Sequence, residues 1–283
     1  MEVKGLNIED AYSNCLSTIL AEGRVEDSRI GDVREIIGLS VEIQNPCDRI
    51  ISNPARKISW RFMLGEFLWI MSGREDLDMI VHYNKRMKEF SDDSVVLHGA
   101  YGKRLREWQG FDQISGIIMK LMEVPNTRQA VMVIFDPKRD MLATTKDVPC
   151  NNLLQFFIRE NKLHLCTYVR SQDFFLGFPY DVFHWTLLQE IVAYTLGVEV
   201  GCFRHNIGSG HLYATNWEQA NQIITSKEFN RLHMPKVDVD FFSMGKLFAV
   251  EETLRLGNTV PMEKLNLTPF ERWVADNLQK KGA

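Results

Sequence analysis

Residues 168–181 read Tyr-Val-Arg-Ser-Gln-Asp-Phe-Phe-Leu-Gly-Phe-Pro-Tyr-Asp. An apolar, strand-like segment at 163–169 leads into this stretch, and an apolar run at 182–196, long enough for a buried helix, follows it. The stretch is therefore a polar, turn-forming connection between two core elements, and connections of this kind commonly carry functional residues.

Other segments define the fold class. Apolar residues at helical spacing predict further helices, and segments rich in β-branched residues predict strands. The predicted helices are 8–22 and 60–71, and the predicted strands are 34–44, 129–135, 153–158 and 163–169, the last two joined as a hairpin. Helices and strands mix without regular βαβ alternation, which predicts an α+β (mixed α/β) fold. Without a linker or repeat, the chain 1–283 is predicted to be a single domain.

The composition restricts the partners. The chain has 283 residues, of which 45% are hydrophobic and 25% charged, as in globular proteins. A net charge of -4 argues against a broad nucleic-acid surface. No signal-like start or apolar stretch of ~18 residues is visible, so the prediction is a soluble, cytoplasmic protein without a membrane partner. Five cysteines without a close pair predict neither a disulfide framework nor a metal site.

The segment Val148–Asn152 places Cys150 in a tight polar turn formed by a proline and two asparagines. A thiol at the entrance of a strand can be exposed and act as a nucleophile. An isolated cysteine is more often a small buried hydrophobe, so the neighbouring motifs decide between these interpretations.

Two further motifs follow along the chain. Arg170 and Ser171 suit a phosphate monoester, because a guanidinium presents a fork of donors and the hydroxyl adds one more, although such a pair is also common on solvated surfaces. His211 and Tyr213 are two residues apart, so they project to one face of an extended segment. They suit a sugar hydroxyl, or serve only as structural hydrogen-bonding groups.

Taken in order, these motifs resemble the thymidylate synthase family. The matching motifs are Pro-Cys, Gln-Phe, Arg-Ser-x-Asp, Leu-Gly-x-Pro-aromatic and Gly-x-x-His-x-Tyr. In this chain they lie at 149–150, 155–156, 170–173, 176–180 and 208–213. Segments 65–73, 101–108 and 126–128 match the family's Glu-containing helix, its Tyr-Gly…Trp segment and its arginine turn. The resemblance extends over approximately residues 25–220 and fades in the last 60 residues.

The resemblance implies a thymidylate synthase-like fold, with a large mixed β-sheet flanked by helices and a homodimer formed through the sheets. It implies that Cys150 attacks C6 of a pyrimidine nucleoside monophosphate and that Glu66 is the acid/base. The co-substrate would be 5,10-methylenetetrahydrofolate, and no metal would be needed. Arg128 would reach the phosphate bound to the partner subunit, so that the two subunits share their active sites.

The resemblance also assigns the remaining site residues. Those expected to bind the nucleotide are Arg29, Arg128, Arg170, Ser171, Asn151, Gln155, His211 and Tyr213. Those expected on the folate side are Asp173, Leu105, Trp108 and Gly177. For the family's N-terminal phosphate arginine, Arg29 is the best match and Arg34 is the alternative, as a helper.

Several positions depart from the family pattern. Asp181 replaces an asparagine that pairs with uracil, and a carboxyl group reads the 4-amino group and N3 of cytosine better. Asn151 replaces a histidine of the solvent network around O4 of uracil. Leu105 replaces a folate-side tryptophan and would admit water, which favours a hydroxymethyl product over a methyl product. With Ser209 in place of an aspartate, these changes resemble the cytidylate hydroxymethylase branch.

The sequence therefore predicts folate-dependent 5-hydroxymethylation of a cytidylate. Two alternatives stay open at this point: a thymidylate synthase that methylates dUMP, and a catalytically silent nucleotide-binding dimer. The choice between CMP and dCMP is open as well, although Ser171 matches the members that use deoxynucleotides.

Overall fold

The structure is a computed structural model that describes residues 1–28, 31–226 and 233–280. It divides into two compact units, each built from three segments of the chain. The first unit comprises Met1–Ile58, Cys150–Glu190 and Val198–His233, and the second comprises Ser59–Pro149, Ile191–Gly197 and Met234–Ala283. Whether these units form a single folding domain over 1–283 stays a prediction.

The helices and strands have the following bounds. The strands are β1 (Glu2–Gly5), β2 (Arg24–Glu26), β3 (Val33–Ile43), β4 (Val131–Val133), β5 (Asn151–Arg159), β6 (Lys162–Asp173) and β7 (Glu199–Tyr213). The helices are α1 (Ile8–Glu22), α2 (Trp60–Met71), α3 (Leu77–Tyr83), α4 (Tyr101–Arg106), α5 (Gln113–Glu123), α6 (Pro137–Asp140), α7 (Phe178–Leu196), α8 (Trp217–Thr225), α9 (Gly245–Arg255) and α10 (Pro269–Gln279).

The strands of the first unit form one mixed sheet in the order β1-β3-β7-β6-β5, with β2 pairing β3. The pairs β1–β3 and β6–β7 are parallel, whereas β2–β3, β3–β7 and β5–β6 are antiparallel. Helix α1 packs on β1, β3 and β7. The predicted fold class, a large mixed sheet with flanking helices, is therefore confirmed, and dimerisation through the sheet stays a prediction.

The predicted helices begin at residues that cap them. The side chain of Asn7 accepts the backbone N–H of Asp10 at the start of α1, and Ser59 accepts the N–H of Phe62 at the start of α2. Both helices have the bounds that the apolar spacing predicts. Helix α7 begins four residues earlier than predicted, because Pro179 is compatible with the first turn of a helix.

The predicted hairpin is confirmed, and its turn explains the tight connection. Strands β5 and β6 pair up to Arg159 and Lys162, and both residues between them, Glu160 and Asn161, have positive φ angles of 51° and 57°. Two left-handed residues form the turn whose twist matches the twist of the strands.

Strand β4 is shorter than the predicted segment 129–135. At its start, the N–H of Gln129 donates to the hydroxyl of Thr127, and this local turn replaces strand pairing. At its end, Asp136 caps α6 by accepting the N–H of Lys138 at 2.8 Å. Side-chain hydrogen bonds at both ends therefore limit the length of the strand. The β-branched composition of segment 129–135 does not show where these hydrogen bonds form.

Within the first unit, one face of β6 is buried from Leu163 to Val169. Its inward residues are Leu163, Leu165, Thr167 and Val169. A buried ion pair between Arg49 and Glu190 holds the helix that follows, and Arg49 Nε also donates to Thr186 Oγ1 at 3.1 Å. Because removing one member would leave a buried charge unpaired, this contact fixes the first-unit part of α7.

The second unit is built around α2. Residues Phe62–Met71 of this helix are all buried except Glu66, which is partly exposed. Close packing against α3 is possible because Gly65 has no side chain: a Cβ at this position would lie 2.4 Å from a ring carbon of Tyr83. The hydroxyl of Tyr83 in turn donates to Glu251 of α9 at 2.7 Å.

In the described part of the chain, no helix combines the length and the apolar character that a membrane crossing requires.

Substitution of Gly65 tests this packing. Gly65→Ala should lower the free energy of unfolding by ~1–3 kcal/mol, because the added methyl group forces Tyr83 or α2 to move. Gly245→Ala is the matched control, since no atom lies within 4 Å of its Cβ position at the start of α9. Urea unfolding of both variants makes the comparison. Equal midpoints would contradict the close contact between α2 and α3.

Candidate active site

Cys150 is partly exposed and directly precedes β5, as the sequence predicts. The neighbouring strand β6 supplies Arg170, whose backbone N–H donates to the carbonyl oxygen of Cys150 at 2.9 Å. The guanidinium Nη2 of Arg170 lies 3.6 Å from the Cys150 sulfur. A positive group at this distance stabilises a thiolate, so the geometry suits a nucleophile.

The ends of β6 and β7 bring further predicted residues together. The two strands run in parallel, with Ser171 opposite Ser209 and Asp173 opposite His211. The rings of His211 and Tyr213 are 5.2 Å apart in an edge-to-face arrangement at 84°. Ser171, Asp173 and His211, which the resemblance assigns to phosphate, pterin and sugar, therefore lie close together on two paired strands.

Asp173 is held rigidly at the turn into α7. Its Oδ1 accepts the backbone N–H groups of Phe175 at 2.7 Å and Leu176 at 2.9 Å. Burial raises the pKa of Asp173, although these two hydrogen bonds act in the opposite direction. The side chain remains partly exposed and can act as an oriented acceptor.

Asp181 lies in the first turn of α7, and both of its carboxyl oxygens accept hydrogen bonds. Asn151 Nδ2 donates to Oδ1 at 3.2 Å, and Gln172 Nε2 donates to Oδ2 at 3.0 Å. Burial among protein atoms raises the pKa of Asp181 to about 6, while the two hydrogen bonds oppose this shift. At pH 7 the group is mostly ionised but close to taking up a proton.

The orientation of Asn151 is fixed by Trp185. Asn151 is fully buried, and its Oδ1 accepts the indole N–H of Trp185 at 3.0 Å. Because an indole nitrogen can only donate, the amide must direct its oxygen to Trp185 and its NH2 group to Asp181. Trp185 lies one helical turn after Asp181 on α7.

Gln172 continues into a second buried chain of hydrogen bonds. Its Oε1 lies 2.8 Å from Nε2 of His205, and Nδ1 of His205 lies 2.5 Å from the hydroxyl of Thr167. The imidazole is near the rings of Phe203 and Phe178, with centroid distances of 5.8 Å and 5.9 Å. Burial lowers the pKa of His205 to about 3, so the ring is neutral.

Sequence reasoning did not assign Gln172, Trp185 and His205 to the site. One signal was present, because Asp181 and Trp185 are spaced (i, i+4) and so share a helix face. His205 lies on the buried face of β7. Burial there does not distinguish a histidine of the site from one that only stabilises the fold. Their connection depends on strand register, which a single sequence does not reveal.

Four predicted residues belong to the second unit. Glu66 is partly exposed on α2, and Arg128 is exposed in the turn before β4. Trp108 is partly exposed, with the guanidinium groups of Arg104 and Arg139 over its ring at 5.3 Å and 5.0 Å. Leu105 is fully buried. Their roles toward nucleotide and folate stay predictions.

The remaining predicted positions are Gly177, Gln155 and the N-terminal arginines. A Cβ at Gly177 would lie 2.9 Å from Nε2 of Gln172, so this glycine leaves room for the amide that contacts Asp181. Gln155 lies on β5, opposite in direction to the buried Phe156. Arg29 lies outside the described residues, and Arg34 donates to the carbonyl of Gly23 at 3.3 Å.

Within the described ranges, no group of three or more His, Cys, Asp or Glu side chains is arranged to hold a metal ion. The first unit instead offers a thiol beside a guanidinium and a carboxyl group held by two amides. This combination provides a nucleophile, an anion-binding cation and a hydrogen-bonding group that can recognise the polar edge of a ring.

Comparisons with known proteins identify relatives of this chain. The deoxyuridylate hydroxymethyltransferase of Bacillus phage SP01 is 38% identical over 218 residues, which cover 73% of this chain and 57% of the phage protein. The enzyme of the same name from Pseudomonas phage M6 is 32% identical over 214 residues, or 75% and 61% of the two chains. The chain thus spans about six tenths of the length of these phage relatives.

A further relative is the thymidylate synthase of Mycoplasma genitalium, which is 27% identical over 248 residues. The match covers 76% of this chain and 84% of the Mycoplasma protein. The family model described as thymidylate synthase matches residues 10–255, a range that contains Cys150, Arg170, Asp181 and His211. With this match, the chain belongs to the thymidylate synthase family.

Proposed function

We propose that the chain transfers a one-carbon unit from 5,10-methylenetetrahydrofolate to C5 of a pyrimidine nucleoside monophosphate and forms a hydroxymethyl group, with a cytidylate as the preferred substrate. Family membership supports the one-carbon transfer to a pyrimidine nucleotide. The names of the two phage relatives support hydroxymethylation. The carboxyl group of Asp181 supports the choice of cytosine.

The observation that carries the base preference is the pair of donors on Asp181. Asn151 and Gln172 each direct an NH2 group at one carboxyl oxygen, which favours an acceptor at both atoms. Cytosine presents an amino donor at position 4 and an acceptor at N3. One carboxyl oxygen can accept from the amino group, while a single proton is shared between the other oxygen and N3.

A carboxyl group whose pKa is about 6 suits this shared proton. Without this proton, the negative charge of Asp181 would face the lone pair of N3. Because the pKa of Asp181 is about 6, protonation of the carboxyl group near neutral pH costs little free energy. The same property supports a second candidate, deoxyuridylate hydroxymethylation. A protonated carboxyl group offers one donor and one acceptor, as O4 and N3–H of uracil require, and the phage relatives carry deoxyuridylate in their names.

The proposed mechanism begins with Cys150. Its sulfur bonds to C6 of the ring, which makes C5 a carbon nucleophile, and Arg170 stabilises the thiolate beforehand. Methylenetetrahydrofolate supplies the one-carbon unit when it is bound. Glu66 would accept and return protons near the ring. Loss of the C5 proton would release tetrahydrofolate and leave an exocyclic methylene, to which water would add as Cys150 leaves C6. The result is a hydroxymethyl group at C5.

Binding roles follow from the same arrangement. Arg170 and Ser171 would hold the phosphate, together with Arg128 of the partner subunit in a homodimer, and His211 and Tyr213 would hold the sugar. Asp173 fits the pterin, because two backbone N–H groups fix its carboxyl group while it remains partly exposed. Trp108, Leu105 and Gly177 would complete the folate side.

Replacement of the nucleophile tests the mechanism. Cys150→Ser should abolish turnover and leave nucleotide binding within about tenfold, because the phosphate and sugar contacts persist. Turnover measured by product mass and binding measured by calorimetry make the comparison. Cys47→Ser, a partly exposed cysteine of the same unit, is the control and should keep its activity. Turnover by the Cys150 variant would rule out covalent catalysis.

Replacement of Asp181 tests the base preference. Asp181→Asn should shift preference from the cytosine toward the uracil nucleotide by ~2–4 kcal/mol in kcat/KM, because the wrong base leaves buried polar groups unpaired at ~1–3 kcal/mol each. The assay compares dCMP with dUMP, and CMP with UMP, and identifies each product. Asp10→Asn, at an exposed position of α1, is the control.

The pH dependence of kcat/KM is a second test of the role of Asp181. A raised pKa means that the proton is present below about pH 6 and is lost above it, so kcat/KM for the cytosine nucleotide should decline as the pH rises past that value. The decline should be absent in Asp181→Asn, which retains every other titrating group. A wild type that prefers dUMP would establish the second candidate, and a methylated product would identify a thymidylate synthase.

The shared homodimer site is tested by complementation. Arg128→Ala should weaken nucleotide binding, and mixing it with Cys150→Ser should restore activity, because one site of each heterodimer keeps both residues intact. Activity is measured after subunit exchange. Lys88→Ala, which removes another exposed charge of the second unit, should have no effect on binding. Absence of restored activity in mixtures that form heterodimers would exclude a shared arginine.

A further inference from the structure

The two hydrogen-bonded arms that reach Asp181 differ in one physical respect. The arm through Asn151 ends at the indole N–H of Trp185, which can only donate, so its direction is fixed. The arm through Gln172 ends at His205 and Thr167. A neutral imidazole carries its proton on either nitrogen, and a hydroxyl can donate or accept, so this arm has two possible directions.

In one direction, Gln172 directs its NH2 group at Asp181 and its oxygen at His205. His205 then carries its proton on Nε2, and Nδ1 accepts from the Thr167 hydroxyl. In the other direction, Gln172 directs its oxygen at residue 181, its NH2 group meets an unprotonated Nε2, and Nδ1–H donates to Thr167. Gln172, both ring nitrogens of His205 and the Thr167 oxygen have a partner in either direction, and only the Thr167 hydroxyl hydrogen gives up its acceptor in the second. The separations in the structure are 2.8 Å between Gln172 and His205 and 2.5 Å between His205 and Thr167.

The surroundings preserve this two-way property. Thr167 and His205 are fully buried and are direct register partners on β6 and β7, so the hydroxyl remains beside Nδ1. The low pKa of His205 keeps the ring neutral, so that it has one donor and one acceptor nitrogen. Gly177 leaves room for the Gln172 amide to turn, because the nearest atom to its Cβ position is Nε2 of Gln172.

We propose that Gln172, His205 and Thr167 form a reversible relay that matches the site to the group present at position 181, an acceptor in this chain or an amide NH2 in a variant. The three are positioning residues for base selection, since they act through residue 181. The inference rests on the proposed function only in taking Asp181 as the group that reads the base. The tautomer of His205 records the direction of the relay.

The direct test is the position of the His205 proton, read from the nitrogen chemical shifts of protein labelled with 15N-histidine at pH 8, where Asp181 is ionised. The wild type should carry the proton on Nε2, and Asp181→Asn should carry it on Nδ1. The other six histidines provide the internal comparison. The same tautomer in both proteins would overturn the relay, whatever nucleotide the enzyme uses.

A double-mutant cycle tests the consequence for base selection. Thr167→Val removes the hydroxyl that pairs with Nδ1 in both directions. A buried N–H without an acceptor is the rarer defect in folded proteins, so the loss disfavours the second direction more than the first. It should lower kcat/KM for dUMP in the Asp181→Asn background by roughly tenfold to hundredfold more than it lowers kcat/KM for the cytosine nucleotide in the wild-type background, because two NH2 groups face each other only in the Asp181→Asn protein. Thr167→Ser keeps the hydroxyl and should behave as wild type in both backgrounds.

The two tests separate the possible failures. Equal effects of Thr167→Val in both backgrounds would mean that Thr167 serves only packing, and the relay would be wrong. A wild type without activity on any pyrimidine nucleotide would remove the proposed function, while the tautomer measurement would still decide the relay. If Thr167→Val does not fold, the His205 tautomer in the wild type and in Asp181→Asn decides the relay without it.

Discussion

One carboxylate receives hydrogen bonds from two amide groups, and the candidate site depends on this contact. Asp181 of α7 is held by Asn151 at the start of β5 and by Gln172 near the end of β6. The three residues therefore tie a helix to two neighbouring strands at the point where Cys150 and Arg170 also meet. A change in the charge or donor pattern at residue 181 affects all three elements, because a buried donor without an acceptor is costly.

Much of the fold and several site contacts follow from the sequence, for identifiable reasons. The amphipathic spacing of α1, the apolar run of α7 and the hairpin around Glu160 and Asn161 are local patterns, and local patterns can be read directly. The end of β4 depends on capping by Asp136, which competes with strand pairing. The family resemblance implies that Cys150 and Arg170 act in one site, and the two residues are neighbours in the structure.

The connection behind Asp181 was not predictable in this way. Gln172, His205 and Thr167 are separated along the chain and meet only through the register of two parallel strands. Their residue types are ordinary for buried positions, so no single one signals a role. Asn151 could be identified as a departure from the family pattern, but its fixed direction is evident only with Trp185 in place. Hydrogen-bond networks in the core thus depend on which residues the strand register brings together. The nucleophile and phosphate motifs, in contrast, can be recognised in the sequence itself.

The hydroxyl of Thr167 also has an evolutionary consequence. Aspartate and asparagine codons differ by a single nucleotide, yet exchange of these residues in a buried network usually requires a second, compensating mutation. In the proposed relay, a turn of the Gln172 amide and a shift of the His205 proton would take the place of that second mutation. Such a relay would let a scaffold pass between cytosine and uracil substrates through functional intermediates, so that related members of one lineage would differ in the base they modify.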